Sequence, residues 1–425
     1  MIGKMELATG IFLLTYALIV AEKLPRTAVA LAGGLAMILL GLETQEQGLH
    51  HVDFNTLGLL IGMMIIVGII RKTGVFEYLA LTSVRLAKGR PLALLVYLSL
   101  LTAGASAFLD NVTTVLLVAP VTFTLCREMG ISPIPFLISE IIASNVGGTA
   151  TLIGDPPNIM IGSAVKELSF LDFMLHLGPV AIIVMAVTLP ILVLIYRRQL
   201  VIDEETRQRL LQLDPARELK KGPLLYQSLG VLALTILGFF LHQVFHIESA
   251  TIAMGGAVLL LLLSRIDLEE AFHTVEWGTI FFFVGLFVLV GGLVETGVIS
   301  RLAQWTLTVT SGETELAAGL ILWVAALASA FVDNIPFVAT MIPLIKEVGL
   351  SGGIANLEPL WWSLALGACL GGNGTLVGAS ANVIVAGMAE SQGKPIGFLR
   401  FMLVAFPLML LSIVISHIYI TWRYF

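Results

Sequence analysis

Ala105-Ser106-Ala107-Phe108-Leu109-Asp110-Asn111 and Ala328-Ser329-Ala330-Phe331-Val332-Asp333-Asn334 stand 223 positions apart in a chain of 425 residues and differ at one position. Each carries a carboxyl within an apolar run. At membrane depth an ionisable group is costly, and it persists where it faces a cavity and binds or relays an ion. The membrane setting follows from composition, since 57% of residues are hydrophobic and 12% charged. Apolar runs of about 20 residues, enough to cross a bilayer, recur along the chain. No soluble core hides so much apolar surface.

Other classes fall away quickly. The net charge of -6 carries little information and gives no basis for nucleic-acid binding. Cys126 and Cys369 are the only cysteines and lie in opposite halves, which argues against a disulfide framework or a thiolate metal site. His242 and His246 share a helix face but lack an acidic third ligand in register, so they read as membrane-interface residues rather than zinc ligands. A Gly-Gly-Asn-Gly run at 371–374 has neither the lysine nor the strand of a phosphate loop. An enzyme is not expected: the one intramembrane candidate, an aspartyl protease, needs a Gly-x-Gly-Asp context that Asp155 lacks.

The offset of 223 extends well beyond the twin segments, as expected of an internal repeat. It aligns Thr56 with Thr279, Gly62 with Gly285, Val67-Gly68 with Val290-Gly291, Thr73-Gly74-Val75 with Thr296-Gly297-Val298, and Pro120 with Pro343. One inserted residue later, Thr151, Gly154 and Asn158 align with Thr375, Gly378 and Asn382. The chain therefore divides into a first repeat (1–196), a linker (197–223) and a second repeat (224–425). The first apolar stretch, Leu7 to Ala21, resembles a signal peptide behind Lys4, but the offset places it on Gly230 to His242, so it reads as a retained first span.

In the first repeat the spans are expected at 7–22, 26–42, 54–70, 91–108 with 112–126, 134–166 and 174–196. The limbs of the fourth unit look short for full crossings and read as a re-entrant hairpin with Asp-Asn at its tip. Arg197, Arg198, Arg207, Arg209, Arg217, Lys220 and Lys221 mark the linker as cytoplasmic. Threading from it leaves Lys4, Lys166, Arg301, Lys346 and Arg423 outside and places the rest of the chain's 23 lysines and arginines inside. Five crossings precede the linker, so the second repeat enters the membrane inverted and the C-terminus lies outside. The expected fold is an all-α polytopic membrane protein of two inverted-topology repeats. Each has five spans, a re-entrant helical hairpin and an unwound span, as in secondary transporters with a midplane site. The expected location is the cell (inner) membrane.

The candidate site residues cluster in four segments. At the hairpin tips, Asp110-Asn111-Val112-Thr113-Thr114 and Asp333-Asn334-Ile335-Pro336 place an acid and an amide just before a new helix. Capping alone explains Asp or Asn there, but not a charge within lipid. In the interrupted spans, Asn145-Val146-Gly147-Gly148-Thr149-Ala150-Thr151 leads to Gly154-Asp155-Pro156-Pro157-Asn158, and Gly371-Gly372-Asn373-Gly374-Thr375 leads to Gly378-Ala379-Ser380-Ala381-Asn382. The glycines and the paired prolines would unwind a span at mid-depth, freeing carbonyls for a cation and N–H groups for an anion. Packing through small residues explains the glycines, but not Asp155, Asn158 or Asn382. Asp110, Asp333 and Asp155 are therefore expected to hold a coupling ion, H+ or Na+, with no other cofactor and no metal. Asn111, Thr113, Thr114, Asn145, Gly148, Thr149, Thr151, Asn158, Asn334, Asn373, Thr375, Ser380 and Asn382 are expected to hold substrate. Glu140 reads equally as a proton relay or as a helix-interface partner.

The segments Asp110-Asn111-Val112-Thr113-Thr114-Val115-Leu116-Leu117-Val118-Ala119-Pro120 and Gly147 to Asn158 resemble the arsenical-pump and melanocyte P-protein family of the ion transporter superfamily, with its citrate transporter-like domain. The likeness spans nearly the whole chain. It implies a dimeric secondary transporter of elevator type, with a scaffold and a transport domain carrying both hairpins. In related dicarboxylate transporters a Ser-Asn-Thr motif stands at each tip, whereas here Asp110 and Asp333 replace the serines. Two carboxylates would repel a dicarboxylate unless protons or cations neutralise them. The expected activity is proton-coupled export of arsenite or antimonite, or movement of a small anion. The alternatives are Na+/H+ exchange, cation-coupled carboxylate transport and, further off, an ion channel. Whether a cytoplasmic ATPase subunit docks on the linker is left open.

Overall fold

In the computed structural model, which describes residues 3–21, 23–351, 354 and 356–425, every regular element among the described residues is helical. The first half runs α1 (Lys4–Val20), α2 (Arg26–Leu39), α3 (Gln45–His51), α4 (Phe54–Arg71), α5 (Val75–Leu86), α6 (Pro91–Ser106), α7 (Asn111–Met129), α8 (Ile134–Thr149), α9 (Pro156–Ala164), α10 (Phe170–His176) and α11 (Gly178–Tyr196). The linker carries α12 (Glu204–Leu211) and a 3-10 turn. The second half runs α13 (Pro223–Phe245), α14 (Ser249–Ser264), α15 (Leu268–Phe272), α16 (Trp277–Glu295), α17 (Val298–Thr310), α18 (Thr314–Phe331), α19 (Asn334–Leu350), α20 (Glu358–Gly371), α21 (Ser380–Ser391) and α22 (Phe398–Tyr424). Seven of the described helices are long and apolar enough to cross a bilayer. The protein is a multi-span helical membrane protein.

The halves correspond element by element, α10 alone lacking a counterpart. Their second and third spans pack crosswise, α2 against α16 and α14 against α4. Glycine makes both crossings possible. A Cβ on Gly62 would lie 2.5 Å from the Ala253 carbonyl carbon, and one on Gly285 would lie 2.5 Å from the Leu31 amide nitrogen. Those distances permit backbone-to-backbone approach and nothing bulkier.

The second limb of the first hairpin is longer than the sequence suggests, while the first ends two residues short of the expected 108. α6 has 16 residues and α7 has 19, while α18 and α19 have 18 and 17. The extra length of α7 comes from its end, where Arg127 and Met129 continue the helix until Gly130 turns it at φ +65. Both limbs of the first hairpin begin or end beside the linker. Arg207 Nε donates to the Lys88 carbonyl just before α6, at 2.9 Å, and α12 packs on α7. The second hairpin is held instead beside α17 and α1. Ser300 Oγ, in α17, donates to Glu347 Oε1 in α19 at 2.9 Å, and α17 touches α1.

The expected unwinding prolines act differently. Pro156 and Pro157 begin α9 at its first positions, where a missing N–H costs nothing, and the break lies before them at 150–155. α11 starts at Gly178, because Ser169 and Asp172 cap a separate helix, α10, by a reciprocal box. Short helices such as α3, α5 and α17 have no place in a reading by spans. Gly74 and Gly297, both left-handed, start α5 and its counterpart α17.

One polar residue between spans is poorly served. Glu43, 4% exposed between α2 and α3, has no hydrogen-bond partner for either carboxylate oxygen. Burial, reinforced by Glu295, pushes its carboxyl up to about 7.

Two outcomes are expected. Replacing Gly62 or Gly285 with Val should lower the melting temperature of detergent-solubilised protein by an amount set by about 1–3 kcal/mol of overpacking or more. Gly255→Ala, where a Cβ meets nothing within 4 Å, should be neutral; equal behaviour of the three variants would refute the tight crossing. For Glu43 the folded-state value lies above the ordinary 4.5, so its contribution is intact below about 4.5 and lost as pH rises through about 7. Glu43→Gln should therefore raise the melting temperature relative to wild type at about pH 8 and leave it unchanged at about pH 4.5; equal gains at both would place the effect elsewhere.

Candidate functional site

The two broken helices, α8–α9 and α20–α21, meet in the buried interior, and asparagine side chains complete what the breaks leave open. Asn158 Nδ2 donates to the carbonyls of Thr149 (3.1 Å) and Thr151 (2.8 Å), with Gly148 at 3.5 Å. Asn382 Nδ2 repeats this with Gly372 (2.7 Å) and Thr375 (2.9 Å). A buried carbonyl without a partner costs about 1–3 kcal/mol, so each amide substitutes for the missing helical bonds. Glycine lets the breaks seat against the hairpins. A Cβ on Gly154 would lie 2.6 Å from the Ser106 carbonyl, and one on Gly378 would lie 2.7 Å from the Ser329 carbonyl. Thr151 Oγ1 donates to the Ala107 carbonyl, and Thr375 Oγ1 to that of Ala330.

Asn145 joins the two halves. Its Nδ2 donates to Asn373 Oδ1 and Asn382 Oδ1, each at 2.9 Å, and its Oδ1 accepts from Asn111 Nδ2 at 3.1 Å. One side chain thereby links a hairpin tip and both breaks. The counterpart tip amide, Asn334, donates instead to Asp155 Oδ1 at 3.3 Å. Asp155 is fully buried, and its Oδ2 has no partner. The second repeat has Ala379 in the matching place, so this carboxyl breaks the pseudosymmetry.

The two tip aspartates are not equivalent. Asp110 caps α7 through the Thr113 N–H at 2.8 Å and also accepts from Thr113 Oγ1. Asp333 accepts from the Ile335 N–H (3.1 Å), Ser380 Oγ (2.7 Å) and Arg26 Nη1 (3.0 Å). Asp110, Asn111, Asp155, Asn334 and Ser380 line a small central cavity of ≈ 20 Å³, joined there by Glu276 and Thr279. Its lining includes no lysine or arginine. Asp333 faces a second cavity of ≈ 300 Å³, together with Arg26 and Ser380.

Several expected ligands serve the framework. Thr149 Oγ1 bonds to the Asn145 carbonyl of its own helix, and the buried Thr114 Oγ1 has no partner. Gly148 packs on the Gly154 carbonyl. Glu140 accepts from Thr122 Oγ1 at 2.5 Å, away from both cavities. Arg26 and Glu276 were not singled out by sequence. Arg26 reads there as one more inside cation, and Glu276 is given no role. The repeat offset carried the signal for Glu276, which pairs with Asp53. Thr56 Oγ1 donates to Asp53 and Thr279 Oγ1 to Glu276, at 2.6 and 3.1 Å.

Buried carboxyls where two broken helices cross, in a multi-span helical protein, define a secondary transporter rather than an enzyme. Residues 16–367 match the citrate transporter family, CitMHS, and the chain belongs to it. An uncharacterized transporter of Mycobacterium tuberculosis is 42% identical over 423 residues, 98% of each chain. The human P protein is 36% identical over 514 aligned positions, which cover 99% of this chain and 61% of the P protein. The fold is similar to the YdaH transporter of Alcanivorax borkumensis (TM-score 0.58, 15% identity, 99% and 98% of the two chains). It is also similar to Neisseria gonorrhoeae MtrF, of a class of antimetabolite efflux pumps (TM-score 0.56, 11% identity, 100% and 95%).

Replacing Asn158 or Asn382 with Ala should each cost about 1–3 kcal/mol for every carbonyl left unpaired, read as a lower melting temperature of the solubilised protein. Unchanged melting in both variants would mean that the amides do not hold the breaks.

Proposed function

We propose that the protein is a cation-coupled secondary transporter in which the carboxyls at the crossing, Asp110, Asp155 and Glu276 around the central cavity and Asp333 in the cavity beside it, hold the coupling ion, H+ or Na+. The observation that carries this reading is the central cavity: three carboxyls line ≈ 20 Å³ with no basic side chain among them, and one Asp155 oxygen is unpartnered. Carboxylates so placed repel one another and pay for desolvation until a proton or cation joins them.

The contacts at the hairpin bases support inverted repeats. The first hairpin opens beside the linker and the second at the opposite ends of the helices, so the tips enter from opposite sides. The crosswise bundle of α2, α4, α14 and α16 suits a scaffold. The hairpins and broken helices, packed mainly on one another, suit a mobile unit in elevator-like alternating access. The linker's basic residues support a cytoplasmic placement in the cell membrane. A homodimer belongs to this reading only by resemblance, and a docking ATPase is not part of it.

The cargo we favour is a small anion of the kind the family name describes, held by tip and break amides near the N-termini of α7, α9, α19 and α21, whose dipoles favour negative charge. Na+/H+ exchange is a second reading, favoured by the size of the central cavity, which admits an ion and no organic anion as it stands.

In proteoliposomes, citrate, arsenite and antimonite uptake driven by a pH or sodium gradient should separate the cargoes, while sodium-dependent dequenching of an internal pH dye without any of them would select exchange. Asp155→Asn and Asp110→Asn should each reduce the gradient-driven signal to background. Full gradient-driven activity in both variants would overturn the assignment of the coupling site.

A further inference from the structure

Among the described residues Arg26 stands apart from the other cations, because its guanidinium reaches the tip of a hairpin. Nη1 donates to Asp333 Oδ2 at 3.0 Å and to Ser380 Oγ at 2.7 Å, and the guanidinium carbon lies 5.3 Å from the Phe282 ring centroid. Ser380 donates in turn to the same carboxylate oxygen at 2.7 Å. Arg26 begins α2 and Phe282 lies in α16, two helices packed on each other. Asp333 and Ser380 belong to the hairpin tip and to the helix after the second break. One side chain thus bridges the crosswise bundle to the hairpin unit. The bridge lies on the wall of the ≈ 300 Å³ cavity, with the arginine side chain 35% exposed and the aspartate 9%.

Among the described residues the other tip aspartate, Asp110, has no such partner. The residue matching Arg26 at the repeat offset is Ser249, and the side-chain partner of Asp110 is the neutral Thr113. A carboxylate that binds a coupling cation in one state and a fixed guanidinium in another carries a cation in both. That matters in a low-dielectric site, where leaving the charge bare is expensive. The polar and charged groups around Asp333 complete the account. Arg26 approaches from α2, and the Tyr16 hydroxyl from α1 bonds to the Pro336 carbonyl and Thr340 in the first turns of α19. Asp155, held by Asn334, lies beyond, and Asp110 and Glu276 line the neighbouring cavity.

We infer that Arg26 is a built-in substitute for the coupling cation: in this conformation it occupies Asp333, and it must release the carboxylate before a proton or sodium ion binds there. The inference rests on the cation-coupled reading and adds to it a competitor supplied by the protein. Arg26 is a positioning residue, acting through Asp333. It also ties the hairpin unit to the bundle while Asp333 is without its ion, which discourages movement of the empty site.

The test needs no knowledge of the cargo. Charge displacement after sodium jumps, and separately after pH jumps, is recorded on solid-supported membranes bearing the reconstituted full chain. An opposite charge at this range changes a carboxylate's proton affinity by about one to three orders of magnitude, so Arg26→Gln should lower the half-saturating concentration of the coupling cation about tenfold or more. Arg26→Lys, which keeps the charge but loses the planar fork, should shift it in the same direction by less; it serves as the readout should Arg26→Gln fail to reach the membrane. In an Asp333→Asn background the Arg26 substitutions should have no effect on the midpoint. A smaller signal with an unchanged midpoint in the Arg26 variants would overturn the inference, showing a merely structural contact. If Asp333→Asn itself keeps wild-type displacement, Asp333 binds no coupling cation. That result would count against the cation-coupled reading at this aspartate, and is distinct from failure of the Arg26 inference.

Discussion

Everything at the centre of this molecule depends on pairing the carbonyls that two broken helices leave open inside a membrane protein. An α-helix satisfies its own backbone, and a break forfeits that where no water is at hand to replace it. Here Asn158 and Asn382 return across their own breaks to the carbonyls before them, while Asn145 ties Asn111, Asn373 and Asn382 into one network. Each of these three side chains is fully buried. Asparagine is suited to the task because it donates and accepts at the same short range without a charge. Once the breaks are stable, four half-helices can end near one point, and their termini and side chains become available to ions.

Symmetry supplies the framework, and departures from symmetry supply the chemistry. The glycine crossings, the Asn158/Asn382 bridges and the Thr151/Thr375 contacts come in pairs. Asp155 faces Ala379 across the repeat, and Arg26 faces Ser249, so the carboxyl and the guanidinium are each present once. A site with identical halves would hold Asp110 and Asp333 alike. In this chain one aspartate lines an acidic cavity with no basic residue in its lining and the other belongs to an ion pair. Two carboxyls of the same origin thereby acquire different partners.

Much of this was legible in the sequence because a repeat with a constant offset makes one half annotate the other. The twin Asp-Asn tips, the paired breaks and Asn158/Asn382 could be read from identity at that offset, and composition supplied the membrane. Residues that act through unrepeated contacts were not legible. Arg26 is a single basic residue beside Pro25, and nothing local says that it reaches a hairpin tip more than three hundred positions away. Glu276 could have been noticed through Asp53, yet acids before a span are ordinary caps. The length of α7 was misjudged for a related reason, since its polar end looks like loop until Gly130 is seen to terminate the helix. The role given to the paired prolines erred because proline breaks a helix interior but begins a helix equally well.

The central claim is that carboxyls at the crossing take up a proton or a sodium ion. Difference infrared spectroscopy of the reconstituted protein, following the carbonyl band of protonated carboxyl groups as pH and sodium are varied, addresses it directly. The account predicts a band that disappears on adding sodium or raising pH and that is lost or displaced in Asp155→Asn. A spectrum in which no carboxyl band responds to either cation, or in which the responding band persists unchanged in that variant, would contradict it.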